Sequence, residues 1–561
     1  MTISSFPPGL ILVFGAFLLP VVGAWVRPLL VLGLPVLTMW LIWTIPEGNS
    51  APIALMDYNL VIVQVDTLSR LFAIIFTLMA FAGGLFALNQ KRVLELSAAF
   101  VYAGSAVGVA FAGDLITLFI FWEIMALGST LVLLSAGTPQ ATRSAGRYFL
   151  VHMFGGALML TGIFFFIYDT GGIAFTAMKP DTVATALILA GVLVNAAAPP
   201  VSSWLADAYP EASFSGTVFL SAFTTKAAVY VLIRGFPGTE ILVYVGVFMI
   251  FYGIIMALLE NDMRRILAYS IVNQVGFMVT GVGIGTEMAL NGAAAHAFAH
   301  IIYKALLLMS AGSVLYMTGK RKCTDLGGLF QSMPLTAFCG IIGALAISSF
   351  PWTSGFVSKS MISQAAADEH LAILWYILMA ASAGVFLHAG IKFPWFVFFQ
   401  KDSGLRPKDP PWNMRLAMIL FSAFCIGLGL WPQYLYALLP YTVDYEPYTD
   451  SHLLNALQLL LCAGLAFFLM LPLMKRTLTI SLDTDWFYRR LAPKVLGGLG
   501  ALIGRADTEL RRGAMSRLNI MLEYLLLHHG EQGSLARTRS TSGMVLVATV
   551  LLGGYLLFSY L

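Results

Sequence analysis

Seven ionisable side chains sit inside long apolar stretches: Glu123, Lys226, His296, His300, Lys304, Lys359 and Lys392. Placing such a group at the centre of a bilayer costs roughly 2.5–3.5 kcal/mol on insertion scales, so each is a functional candidate by default. Glu123, in Leu118-Phe119-Ile120-Phe121-Trp122-Glu123-Ile124-Met125, has no cation within one helical turn. A carboxyl so placed can bind and release a proton; its structural alternative is a carboxyl bonded to a neighbouring hydroxyl or amide. Lys226, in Thr224-Thr225-Lys226-Ala227-Ala228, is equally central, too deep for the plainer role of a lysine that snorkels to the interface. His296, His300 and Lys304 recur every four residues, which at 100° per residue gives one polar stripe about 80° wide. Histidine titrates near ~6.5, and such a stripe makes sense along hydrated protein interior, as a proton relay. Lys359, beyond a Pro-Gly break, and Lys392, before Pro394, extend the axis. Lys392 has the alternative of snorkelling to a basic loop and ranks below Lys359.

The elements that position these groups are membrane-crossing helices. Of the 561 residues 59% are apolar and 11% charged, with mean hydropathy +0.84, whereas a globular domain carries roughly a quarter charged residues. This excludes a soluble enzyme, a disordered chain and a nucleic-acid binder. Taking about 20 apolar residues per crossing, stretches lie at 9–26, 28–46, 66–88, 94–112, 114–135, 147–168, 182–200, 212–234, 237–260, 264–284 and 288–317. Others follow at 334–367, 371–400, 413–435, 452–473 and 542–561, making sixteen. Phe350-Pro351-Trp352-Thr353-Ser354-Gly355 interrupts 334–367, and 182–200 runs into Ala198-Pro199-Pro200. Proline breaks the helical ladder, so both are expected to be discontinuous. The four cysteines, Cys323, Cys339, Cys425 and Cys462, are too far apart for a C-x-x-C pattern. No metal site and no cofactor is expected. The N-terminus lacks a basic n-region, its first Lys or Arg being Arg27, so a cleaved signal peptide is not expected.

Orientation follows from the basic loops. With the N-terminus outside, Lys91/Arg92, Arg143/Arg147, Arg264/Arg265, Lys320/Arg321/Lys322, Lys401/Arg406/Lys408 and Lys475/Arg476 are cytoplasmic. The acidic loop with Asp444, Glu446 and Asp450 is then outside, with Lys179 and Arg234 as exceptions. After N-terminal helices in 1–93, residues 94–234 and 237–400 each hold five crossings, with a broken fourth and a lysine in the fifth. An odd number inverts the second unit, and inverted repeats with discontinuous helices are a transporter architecture. Residues 401–480 add core helices. The basic amphipathic segment 481–541 suits the membrane surface, with an ordinary cytoplasmic linker as its alternative, and 542–561 is a final crossing.

Several motifs resemble one family. They are Gly113-Asp114-Leu115 through Trp122-Glu123, Trp204-Leu205-Ala206-Asp207-Ala208, Thr225-Lys226-Ala227-Ala228-Val229-Tyr230, Asn261-Asp262-Met263-Arg264-Arg265-Ile266-Leu267-Ala268-Tyr269-Ser270, His300-x-x-x-Lys304-Ala305-Leu306-Leu307 and Gly355-Phe356-Val357-Ser358-Lys359. Between about 60 and 400 the chain is similar to the antiporter-like subunits of respiratory complex I and of Mrp-type multisubunit cation/proton antiporters, most of all to the D-type member of the latter. Its C-terminal segment is similar to the lateral-helix arrangement of the largest complex I antiporter-like subunit. The resemblance implies an all-α polytopic membrane protein with a fourteen-helix core of two inverted five-helix repeats and additional C-terminal helices. It also implies a midplane chain of buried charges that moves protons.

By the resemblance, Glu123 matches the fifth-helix glutamate, Lys226 the eighth-helix lysine, His300 and Lys304 the connecting relay, and Lys359 the charge of the broken twelfth helix. One position departs: the family's lysine nine residues before the motif tryptophan is here Asn195, which removes the ion-pair partner of Glu123. His152, a bound Na⁺ or a neighbouring subunit are candidate substitutes; Asp207 is a secondary candidate. The expected function is that of a proton-translocating subunit of a multisubunit Na⁺/H⁺ antiporter in a bacterial plasma membrane, working with other membrane subunits. A proton-pumping subunit of a quinone- or hydrogenase-linked complex is the alternative, with any redox site on its partners. A membrane subunit coupling ion flow to inorganic-carbon uptake is a third.

Overall fold

The sixteen apolar stretches become thirteen helices long and apolar enough to cross a membrane and three shorter apolar ones, among the described residues. This computed structural model describes residues 6–48, 50–55, 57–472, 483–484, 486–531, 533–538 and 540–561; Lys475, Arg476 and the start of the 481–541 segment lie outside them. Two of the short helices, Val183–Asn195 and Pro334–Ile347, are the first halves of the discontinuous helices. Their second halves are Ser203–Ala208 and Ser354–Asp368. The third short helix, Gly9–Leu18, corrects the expected 9–26 crossing. At 1.5 Å per residue it is only about 15 Å long. Pro20 supplies no N–H to continue the ladder, and the Arg27 guanidinium donates to the Leu19 and Val22 carbonyls at 3.1 and 3.2 Å, holding the turn.

The loops sort into two ends, as successive crossings require. At one end lies an antiparallel hairpin, Ser50–Leu55 with Tyr58–Gln64, the only strand pair in the otherwise helical described chain. Gly113 N–H donates to Val61 O at 2.9 Å, and Asp114 accepts from the N–H groups of Val61 and Thr117, each at 2.7 Å. Asp114 thus caps helix Leu115–Leu134 and anchors the hairpin to it. At the other end the Arg264 guanidinium donates to the carbonyls of Pro210, Ala212 and Ser213 at 2.7–2.9 Å. Arg321 pairs there with Asp262 at 2.8 Å and Glu211 at 3.0 Å. The basic exception Arg234 is neutralised by Asp66 at 2.5 Å; Lys179 is exposed.

The two five-helix units repeat in detail. Their third helices, Pro139–Thr170 and Glu287–Thr318, both have 32 residues, both start at a capping threonine, Thr138 or Thr286, and both end at a left-handed glycine, Gly171 or Gly319, with φ 69°. Their fourth helices are broken and their fifth are irregular. One runs Gly216–Leu220 and Thr224–Gly235; the other runs Ala372–Val385 and continues in π-helical turns over Phe386–Lys392 and Trp395–Phe399. The interruption at Ser221–Phe223 contains neither proline nor glycine and was not expected from the sequence. Helices Met263–Ile284 and Glu287–Thr318 are almost wholly buried, whereas little more than a quarter of Arg27–Thr44 is buried. The relay residues therefore sit on the innermost elements.

Trp486–Leu561 forms a separate unit. It holds a 38-residue helix, Ala492–His529, with no buried residue, and helix Thr541–Tyr560. The longer helix spans about 57 Å, with Leu499, Leu502 and Leu510 beside Arg505, Arg511 and Arg512 along its length.

Candidate functional site

Helix Leu115–Leu134 carries Glu123 half-buried against Pro139–Thr170. A Cβ at Gly156 would lie 2.0 Å from Glu123 Oε1, so only glycine lets the carboxyl seat there. That Oε1 has no hydrogen-bond partner among the described residues. One turn away, His152 bonds the Tyr148 carbonyl through Nδ1 at 2.9 Å, stacks on the Tyr148 ring at 3.9 Å and meets Trp204 edge-on at 4.6 Å; its Nε2 is unpartnered. Asn195 closes helix Val183–Asn195 immediately before the break, is 1% exposed, and has neither side-chain atom bonded. Asp207 instead grips Arg147 through two bonds of 2.7 and 2.8 Å, tying the second half of the broken helix to Pro139–Thr170.

Hydroxyl groups lead from this region to Lys226. Tyr148 Oη donates to Ser129 at 2.9 Å and lies 3.4 Å from Thr224 Oγ1, which is 2.6 Å from Tyr102 Oη. Lys226 is fully buried and donates to Thr225 Oγ1 at 3.0 Å and to Ser221 O at 2.7 Å. The helix interruption supplies that carbonyl: a backbone acceptor freed from the ladder takes a cation that no carboxylate meets.

The second unit continues the file. Lys304, fully buried, donates to Ser270 Oγ and to Leu267 O. His300 is fully buried with both ring nitrogens unpartnered, its ring 5.2 Å edge-on from Tyr303. His296 reaches Gln274 through Nε2 and Ser358 through Nδ1, both at 3.1 Å, and Tyr303 Oη also donates to Gln274 at 3.1 Å. Ser358 is next to Lys359, which donates to Ile347 O at 3.1 Å and stands 4.8 Å over the Phe277 ring. Lys359 thus repeats the device of Lys226, an ammonium on the carbonyl at a helix break. Lys392 donates to the carbonyls of Ala257, Leu258 and Glu260 at 2.6–3.1 Å, closing the C-terminus of helix Ile241–Leu259. Cations are favoured at that end of a helix. Among the described residues none of Lys226, Lys304, Lys359 and Lys392 is in an ion pair.

Sequence reasoning missed the hydroxyl partners Tyr102, Ser129, Tyr148 and Thr224, the bridge Gln274, and His388, buried in the π-helical turn with Nε2 unpartnered. Gln274 and His388 carry a legible signal, as polar side chains inside apolar stretches.

A family model described as NADH:quinone oxidoreductase/Mrp antiporter, TM, matches residues 112–387, the span that holds Glu123 through Lys359. Over this span the chain is similar to the membrane subunits that this model describes. It is 30% identical over 299 residues to the D-type component of the Na(+)/H(+) antiporter of Alkalihalophilus pseudofirmus, covering 50% of this chain and 59% of that one. It is 32% identical over 273 residues to the N-type component of the NADH-quinone oxidoreductase of Desulforudis audaxviator, covering 45% and 54%. The chain therefore spans between half and two thirds of the length of these curated relatives. The likeness of fold extends further. A chain in the structure of the membrane-bound sulfane sulfur reductase, an archaeal respiratory membrane complex, superposes with TM-score 0.72 over 97% of this chain and 98% of that chain, at 22% identity. With thirteen helices long and apolar enough to cross a membrane and membrane relatives over 112–387, the chain is a multi-pass membrane protein.

Proposed function

We propose that this chain is the proton-translocating membrane subunit of a multisubunit Na⁺/H⁺ antiporter. In this reading protons pass along Glu123, Lys226, His300, Lys304 and Lys359, with His296, bonded to Ser358 beside Lys359, as a further member and Lys392 as the far candidate. The observation that carries it is the succession of buried ionisable and hydroxyl groups across both repeats, with Lys226 and Lys359 held by carbonyls at helix breaks. A group held only by neutral acceptors is free to exchange its proton without dismantling a salt bridge. Charges in such an interior interact far more strongly than in water, so a proton arriving at one site biases its neighbour. The chain works with other membrane subunits, in a bacterial plasma membrane, with its N-terminus outside.

A second reading is favoured by the likeness to the N-type component of a quinone oxidoreductase and by the fold shared with a respiratory complex. There the same path is driven by electron transfer in partner subunits. Moving one charge against 100 mV takes about 2.3 kcal/mol, so either drive must supply at least that per proton. The purified assembly reconstituted into proteoliposomes separates the two. An imposed Na⁺ gradient generates a pH difference under the antiporter reading; a pH difference that forms only with an electron donor and acceptor rejects it.

A further inference from the structure

His388 is a fully buried titratable group that the proposed path does not use. It lies in the π-helical stretch Phe386–Lys392, and such turns are rare and recur at functional sites. Four residues apart, His388 and Lys392 share one side of that stretch, at the same spacing as His300 and Lys304. The stretch packs on helices Ile241–Leu259, Met263–Ile284, Pro334–Ile347 and Asp450–Met470. A Cβ at Gly390 would collide with Ser348 Oγ, so only glycine lets the stretch close on the break after Ile347, whose carbonyl holds Lys359. On its other side Lys392 reaches the carbonyls that end helix Ile241–Leu259. The charges that act on the His388 ring are the ammonium groups of Lys304, Lys392 and Lys359.

Hydrogen bonding fixes what this ring can do. Its Nδ1 lies 2.8 Å from the Gly384 carbonyl. A carbonyl only accepts, so Nδ1 carries the hydrogen, and in the neutral ring Nε2 is then a bare acceptor. That Nε2 is buried and has no partner among the described residues. An unbonded buried acceptor is costly for a ring that only fills space; for a ring that receives protons it is the working atom.

We propose that His388 is a further proton carrier, taking a proton from Lys304 and passing it to Lys392, so that the file ends in a second His-x-x-x-Lys pair. It rests on the reading of Lys304 as a proton carrier. A Lys304 Nζ–H bond breaks as the His388 Nε2–H bond forms. Once Lys392 has released its own proton, the imidazolium gives it another, and Nε2 is bare again. Because Nε2 bonds neither ammonium directly, water carries the proton across each gap.

The test uses the full assembly in everted vesicles, with subunit content matched to the parent. His388→Gln keeps an amide to bond the Gly384 carbonyl but cannot carry a proton. It is expected to lower Na⁺-driven proton flux at least several-fold while the melting temperature of the complex stays at the parental value. His388→Ala opens a space, and imidazole in the buffer is expected to restore its flux while leaving that of His388→Gln low. Lys392→Gln is expected to lower flux as His388→Gln does, and the double variant no further than the worse single, as for two steps in series. Parental flux in His388→Gln or in Lys392→Gln overturns the proposal. So do an imidazole-insensitive His388→Ala and losses that multiply in the double variant. Any of these with the Na⁺-driven pH change intact in the parent removes His388 from the path and leaves the antiporter reading standing; that reading fails when the parent itself shows no such change.

Discussion

The two halves of the polar file are built differently. In the second, His296, Lys304 and Lys359 each have a hydrogen-bond partner, and Gln274, Tyr303 and Ser358 surround the His296 ring. In the first, Glu123 Oε1, His152 Nε2 and both polar atoms of Asn195 have none. A buried polar group left unbonded costs about 1–3 kcal/mol, a cost the first half carries at its carboxylate and the second at the His300 and His388 rings. The lesson is that the lysines of the second half are held by neutral hydrogen-bond partners, whereas the carboxylate of the first half has no positive partner among the described residues. Neither His152, bonded through Nδ1 to its own helix and packed between Tyr148 and Trp204, nor Asn195 supplies a fixed charge.

Four substitutions put that contrast at risk. Lys304→Ala removes the ammonium at the centre of the ordered half, and is expected to lower proton flux more than tenfold, equivalent to about 1.4 kcal/mol in the barrier; near-normal flux in assembled complex means the ordered half is not the path. Asn195→Lys restores a cation beside the broken helix of the unpartnered half. Transport rate or pH optimum should change several-fold, and an unaltered pH profile shows that this position does not act on the path. Gly156→Ala places a methyl where Glu123 Oε1 sits, so the carboxyl must move, and a two- to fivefold loss of flux is expected with assembly preserved. Arg147→Ala removes the two guanidinium bonds to Asp207, whose side chain is 4% exposed. Breaking a buried pair costs about 3–5 kcal/mol, reduced here because Arg147 is 25% exposed. A loss of a few degrees in the melting temperature of the purified complex should follow, with little change in the flux of what remains folded.

The sequence displayed those parts of the fold that membrane physics makes expensive. Charges at Glu123, Lys226, His300, Lys304 and Lys359 stand out because the bilayer penalises them, and the breaks after Asn195 and Ile347 stand out because Pro199, Pro200 and Pro351 cannot continue a ladder. The interruption at Ser221–Phe223 was hidden: no residue there forbids a helix, and only the structure shows Lys226 bonding the freed Ser221 carbonyl five residues back. Tyr148, Ser129 and Thr224 were equally hidden, since hydroxyls are cheap in membrane helices, where they ordinarily bond the carbonyl four residues back. Lys392 was visible as a charge, but its three carbonyl acceptors come from a helix that ends more than a hundred residues earlier. The apolar run 19–26 read as helix because hydropathy does not register a turn held by the arginine that follows it.

The central claim is that protons cross through Glu123 and Lys226. Its most direct test is the Na⁺-driven pH change in everted vesicles carrying the full assembly with Lys226→Ala or Glu123→Ala, with subunit content matched to the parent. Each substitution is expected to abolish the pH change while the assembly persists. Parental pH changes in both variants would contradict the claim.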